Sequence, residues 1–255
     1  MFETTKHDSK RRPFAEVMTL SSWRILLAWI VFSLSPAITV NAQDWLVIKS
    51  KLMDEESAFQ GAHGVTRVDQ EILTDSKIFE KALPIRNAEM QVRNKDKEFR
   101  GIVIGTTNDY SERFDVQLIK GRFLTNADTR NRTSVACIGK QIAMKLFDDA
   151  DAIGRFVRVE KNYFEIIGIV ESKKPTDNVK IEKSLIVPIT TMKSRLGDRL
   201  ILRTDGRFQV REYQLSELHL RVKKSVSFES SRQLVERVLK TNHNKQDYEV
   251  LVDED

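Results

Sequence analysis

The sequence has one cysteine among its 255 residues, Cys137, so no internal disulfide can form and packing alone must hold the fold. Cys137 lies in the apolar run Val135-Ala136-Cys137-Ile138, which reads as a small buried hydrophobe and not as a nucleophile. The four histidines, His7, His63, His219 and His243, are scattered, and none has a spaced partner for a zinc site. There is no Gly-Xaa-Ser-Xaa-Gly elbow, no His-Glu-Xaa-Xaa-His helix and no glycine-rich loop ending in Gly-Lys-Ser or Gly-Lys-Thr. Gly139-Lys140 opens a helix but is a lone pair, better explained by a strand-to-helix turn than by a phosphate grip. Asp148, Asp149 and Asp151 cluster after that helix but lack the stepped oxygen ligands of a calcium loop, and Glu160 and Glu165 flank an exposed hairpin tip. The expectation is therefore no catalytic residue, no cofactor and no metal.

Charge excludes one more class. The net +5 is uneven, because residues 1–42 carry Lys6, Lys10, Arg11, Arg12 and Arg24 against Glu3, Asp8 and Glu16. That is five bases against three acids, which leaves only +3 for the remaining chain. Spread over some two hundred residues without a basic stripe or interleaved aromatics, this is a poor footprint for nucleic acid.

What is present begins with the N-terminus. A basic stretch precedes the apolar run Ile25–Leu34, which is short for a membrane-crossing helix of roughly 20 residues. It fits the apolar core of a signal peptide, and Val40-Asn41-Ala42 offers a cleavage site after Ala42. The rival reading is an uncleaved anchor from Trp23 to Ala42. Both send the rest of the chain out of the cytoplasm, as a free body or one held at the inner membrane by a single helix.

Residues 43–60 read as a linker. Val65–Val68 is expected to begin a strand, and Thr74–Leu83 to form a short helix or turn. Ala88–Arg93 and Phe99–Ile104 alternate about the turn Asn94–Lys97, an antiparallel hairpin. Thr125–Asp128 reads as a polar turn, and Ser134–Ile138 as a short buried strand. Ile142, Ala143, Leu146 and Phe147 make the apolar stripe of a helix. Arg155–Glu160 and Tyr163–Val170 predict a second hairpin, and Leu185–Ile189 a strand whose Pro188 marks an end or an edge. Leu215–Val222, a helix capped by Ser227 and supported by a Glu236–Lys240 pair, and Asp247–Val252 predict a final β-α-β unit.

A chain of landmarks gives this pattern a family likeness. Gly105-Thr106-Thr107-Asn108-Asp109-Tyr110, then Gly121-Arg122-Phe123-Leu124-Thr125 with Asp128, resemble the periplasmic core domain of MacB-type ABC transporter permeases, which include the LolC/LolE-like proteins. Val135–Gly139, Leu146-Phe147, Ile153-Gly154-Arg155, Phe164–Val170 with Gly168, and Val187-Pro188 continue the order. The likeness covers Gly61 to Val252. It implies an α+β fold of two lobes: a porter-like lobe from residues 61–104 and 206–252, and an inserted β-rich lobe over 105–205. It also implies a structural role for Gly105, Asp109, Tyr110, Gly121, Arg122, Phe123, Asp128, Gly139, Phe147, Gly154, Gly168 and Pro188.

The same likeness implies a non-catalytic module of an ABC export system, or an accessory to one. Its partners would be a membrane permease and a cytoplasmic ATPase, with a periplasmic adaptor or cargo. The family's usual permease has three helices after this domain and an ATPase module; neither is read here, so the chain is expected to be a stand-alone accessory, one piece of a split permease or a truncated product. The alternative is an extracytoplasmic hydrolase-like enzyme with a site of unfamiliar pattern.

Overall fold

The computed structural model describes residues 45–51, 62–148, 151–173, 181–204 and 207–253. The export segment expected at 1–42 lies outside them, as do Asp149 and residues 43, 44 and 52–60 of the expected linker. The strands are β1 Trp45–Ser50, β2 Ala62–His63, β3 Phe79–Asn94, β4 Lys97–Thr106, β5 Val116–Gly121, β6 Val135–Gly139 and β7 Phe156–Val159. They continue with β8 Asn162–Ser172, β9 Ser184–Pro188, β10 Arg199–Thr204, β11 Arg207–Tyr213, β12 Glu217–Val222 and β13 Tyr248–Asp253. The helices used below are α1 Arg67–Asp75, α2 Tyr110–Arg113, α3 Asn126–Asn131, α4 Lys140–Phe147, α5 Ile189–Thr191 and α6 Phe228–Asn242.

Four strands in the order β13-β1-β12-β3 form one end of a ten-stranded sheet. With α1 between β1 and β3, and α6 between β12 and β13, the path is a β-α-β-β-α-β unit, interrupted between β3 and β12. The expected final β-α-β unit is present: β12 and β13 both pair antiparallel with β1, which lies between them. Leu46, Ile48, Leu73, Leu218, Leu220, Val235 and Leu239 pack together between the sheet and the helices.

The expected linker is corrected over Trp45–Ser50. Trp45, Leu46, Val47 and Ile48 are all buried, with β12 on one side and β13 on the other. A short apolar run buried on both faces carries no alternation, and the polar Lys49-Ser50-Lys51 behind it hides the strand.

A second correction falls on Val65–Val68. Thr66 caps α1: its hydroxyl accepts from the Asp69 N–H while the Asp69 carboxylate accepts from the Thr66 N–H. This reciprocal cap satisfies two donors that a helix start leaves orphaned, and it outweighs the β-branched local preference. The chain leaves the helix at Asp75 and enters β3 at Phe79, so Thr74–Leu83 spans a helix end and a strand start. Thr125–Asp128, expected as a turn, is the same reciprocal cap on α3. Ser227 does precede α6, but its side chain makes no cap bond. The partner of Glu236 is Arg232, one turn back at 3.2 Å, where the sequence suggests Lys240.

Strand β3 is the bridge between two regions. Its first half, through Ile85, pairs with β12; from Arg86 onward it pairs with β4. The ladders β3-β4, β4-β9, β9-β6, β6-β8, β8-β7 and β7-β3 close a ring, so none of these six strands is left with an open edge. Ala88, Val92, Val103, Ile138, Val157, Phe164, Ile166 and Val187 fill it, and α4 adds Ile142, Leu146 and Phe147. The hairpin Ala88–Ile104, expected within the first lobe, thus builds the barrel. Pro188 ends β9 opposite Thr106, and β9 is flanked by β4 and β6, so the proline marks an end and not an edge.

Candidate functional site

The first and last described strands meet at one corner. Trp45, the first residue of β1, lies opposite Asp253 of β13 on one side and Arg221 of β12 on the other. The short helix α2 covers this corner. Its Tyr110 is 1% exposed and packs on Phe114 with ring centroids 4.5 Å apart, which anchors the turn that carries Arg113. The Arg113 guanidinium sits 5.0 Å from the centre of the Trp45 ring and forms an ion pair with Asp253. Arg221 approaches the same indole at 5.9 Å and reaches Glu112 at 3.6 Å. A cation over an indole contributes about 0.5–2 kcal/mol, more when water is excluded, and Trp45 is buried here.

Lys81 completes the collar, 2.6 Å from Glu112 and 3.4 Å from Asp109. The Glu112 hydrogen bond raises the Lys81 ammonium, and Glu112 is lowered in return. Behind the collar, His219 Nε2 lies 2.7 Å from Glu217, with its ring edge-on to Phe114 at 5.4 Å. Burial lowers His219 against the pull of Glu217, which favours the neutral ring. Burial raises Glu217, but the His219 hydrogen bond and surrounding positive charges bring it below the ordinary value. Asp109 precedes this helix and Tyr110 opens it, so both lie at the corner where the two strand ends meet.

A second group of landmarks forms a knot at the opposite edge of the sheet. Gly121 and Gly168 face each other across β5 and β8. A Cβ on Gly168 would stand 2.4 Å from the Arg122 carbonyl oxygen, and one on Gly121, where φ is +82°, 2.1 Å from the Ile167 oxygen. Only glycine permits this approach, and it lets the Arg122 N–H donate to the Ile167 carbonyl at 2.9 Å. Arg122 then donates to both Asp128 oxygens, at 2.7 and 3.1 Å. Asp128 also accepts from the Thr125 N–H and hydroxyl and from the Thr133 hydroxyl. The Arg122 hydrogen bonds hold the Asp128 carboxyl far below its usual range, against the opposing effect of burial. Cys137 is 0% exposed beneath this knot, and burial pushes its thiol up to about 12. Phe123 packs from above, partly buried.

The remaining landmarks lie apart from both groups. Gly105 of β4 packs against Met192, Gly139 lies against the Ile181–Glu182 backbone at the start of α4, and Gly154 turns the chain before β7. Phe147 is a barrel core residue and Pro188 opens the way into α5. Asp148 and Asp151, read as solvated, pair with Lys97 and Lys120. Two of the scattered histidines have side chains buried against carboxylates. His219 meets Glu217, and His243 meets Asp69 and Asp247. A Glu-Xaa-His or His-Xaa-Xaa-Xaa-Asp spacing is too common to signal this, and Asp69 is 174 residues from His243.

Residues 31–238 match the family model of the MacB-like periplasmic core domain. The chain belongs to that family. Among curated relatives, it is 28% identical over 117 residues to the pyoverdine export ATP-binding/permease protein PvdT of Pseudomonas aeruginosa, covering 46% of this chain and 18% of that one. It is 27% identical over 161 residues to the macrolide export ATP-binding/permease protein MacB of Rhodospirillum rubrum, covering 62% and 23%. The matched part of the chain thus spans about a fifth of the length of these relatives. Among solved structures, the periplasmic region of MacB from Actinobacillus actinomycetemcomitans superposes with a TM-score of 0.62 at 15% identity, covering 83% of this chain and 89% of that one. The extracellular domain of the ABC-type transporter YknZ from Gram-positive bacteria gives 0.61 at 18%, covering 82% and 100%. These likenesses establish the α+β fold of the MacB-like domain. Among the described residues no helix is long and apolar enough to cross a membrane.

Proposed function

We propose that this chain is the extracytoplasmic, non-catalytic part of an ABC export system, and that it works by contacting other proteins and passing conformational change between them. Membership of the MacB-like periplasmic core domain family supports the compartment and the kind of system. The observation that carries the mechanism is the collar at Trp45 and Asp253. The first and last described strands run side by side and are gripped by Arg113, so a pull on either end is delivered to one corner and carried into the sheet through β1, β12 and β3. On this reading β3 couples a porter-like part to the inserted barrel. The partners are a membrane permease and a cytoplasmic ATPase, with an adaptor or cargo on the outer side. Residues 1–42 direct export, as a signal peptide cleaved after Ala42 or as a single anchor.

The test is crosslinking in intact cells with a photoreactive residue at exposed positions of the full chain, followed by mass spectrometry of the membrane fraction. Recovery of a permease or ATPase of the ABC class is expected, and its loss in Arg113→Ala would tie the contact to the collar. Recovery of neither, or location of the chain in the cytosol, overturns the reading.

A further inference from the structure

His243 sits between two carboxylates on three separate elements. It follows the last turn of α6, where it takes the C-cap position. Its Nε2 is 3.0 Å from Asp69 of α1, and its Nδ1 is 2.9 Å from Asp247, the residue that leads into β13. The side chains of His243, Asp69 and Asp247 are 6%, 0% and 9% exposed. Both ring nitrogens face acceptors, and only the imidazolium can donate from both.

Each carboxylate is already committed elsewhere. Asp69 holds the reciprocal cap of α1 and accepts from the Asn242 amide at 2.7 Å. Asp247 accepts from the Gly64 N–H at 2.8 Å, and its carbonyl accepts from the Lys51 N–H at 2.8 Å. The imidazolium therefore ties the start of α1, the end of α6, the segment before α1 and the entry to edge strand β13. The other groups facing it are few. Tyr248 of β13 lies edge-on at 5.2 Å, Glu236 of α6 acts on Tyr248, and Lys245 on the intervening turn is exposed.

We propose that Asp69, His243 and Asp247 form a proton-controlled latch that fixes the edge strand β13 to the helix layer, closed while the ring is charged and opened on its Asp247 side when the proton leaves. Asp69 keeps the ring when one arm must go, because it is the more buried carboxylate and a neutral ring can still donate one N–H to it. The ring's other nitrogen then presents a lone pair to Asp247, and that contact becomes repulsive.

The direction of the pH effect follows from the partners. The Asp69 hydrogen bond raises His243 above its ordinary 6.5, with burial opposing. The latch thus contributes fully below pH 6.5 and fades as pH rises through the elevated value. Burial raises Asp69, but its hydrogen bonds to His243, Asn242 and Thr66 bring it to about 2, so the acid limit lies far below.

The experiment is an NMR titration of the His243 ring in the full chain, paired with hydrogen exchange of β13 between pH 6 and 9, corrected for intrinsic rates. A midpoint above 6.5 is expected, with β13 protection falling about tenfold as the ring titrates. In Asp247→Asn the amide satisfies a neutral ring, so the midpoint should fall by about one unit and β13 protection should lose its pH dependence. A midpoint at or below 6.5, or β13 protection that stays level in the wild type while the ring titrates, overturns the proposal. The wild-type measurement stands even if the variant fails to fold.

Discussion

Arg122 grips Asp128 with two guanidinium nitrogens, one to each carboxylate oxygen, six residues apart in sequence and with Asp128 5% exposed. The pair joins the end of β5 to the cap of α3. Its oxygens take five hydrogen bonds in all, from Arg122, Thr125 and Thr133. A carboxylate surrounded by donors is costly to neutralise.

Asp128→Asn replaces one acceptor oxygen with a donor that faces other donors. Urea unfolding at pH 7 should show a loss of about 1–3 kcal/mol. The depressed Asp128 carboxyl contributes stability that is present above its ordinary value near 3.8 and is lost as pH falls through the folded value. The gap between wild type and variant should therefore narrow from pH 5 toward pH 2. An equal gap at both ends would mean the carboxylate charge has no part in the knot.

The glycines Gly168 and Gly154 should fail for different reasons. A Cβ on Gly168 meets the Arg122 carbonyl, whereas one on Gly154 meets nothing within 4 Å but sits at φ +76°. Gly168→Ala should cost about 1–3 kcal/mol through overpacking. Gly154→Ala should cost about 1–2 kcal/mol through backbone strain. Gly154→Asn should recover part of that loss in thermal unfolding, because asparagine tolerates positive φ, and Gly168→Asn should recover none. Equal behaviour of the two asparagine variants would refute the distinction.

Cys137 should behave as a silent probe of unfolding. It is 0% exposed, its thiol is pushed up to about 12, and its Sγ lies 3.5 Å from the Arg122 carbonyl. Thiol reagents at pH 8 should label it only as fast as the native structure opens. Rapid labelling, insensitive to stabilising salts, would place it at the surface.

The local patterns carried much of the fold. The hairpins about Lys95 and Glu160, the stripe of α4 and the β-α-β unit at the end are visible as periods of two and 3.6. Trp45–Ser50 was hidden because a strand buried on both faces shows no alternation. The start of α1 was hidden because Val65-Thr66-Arg67-Val68 favours a strand, while the Thr66–Asp69 cap and the burial of Leu73 favour a helix. The barrel was hidden because β7 reaches β3 through only two residue pairs, Val92–Val159 and Arg93–Arg158, some 65 positions apart.

Sequence by itself determined the two hairpins, the stripe of α4, the closing β-α-β unit, the shortage of catalytic and metal-binding patterns, and the ordered landmarks of the family, since these depend on spacing along the chain. Tertiary structure alone decided that Arg113 holds Trp45 and Asp253 together and that His243 lies between Asp69 and Asp247. Both depend on residues far apart in sequence, and the charge state of a buried ring is set by whichever carboxylates the fold brings to it.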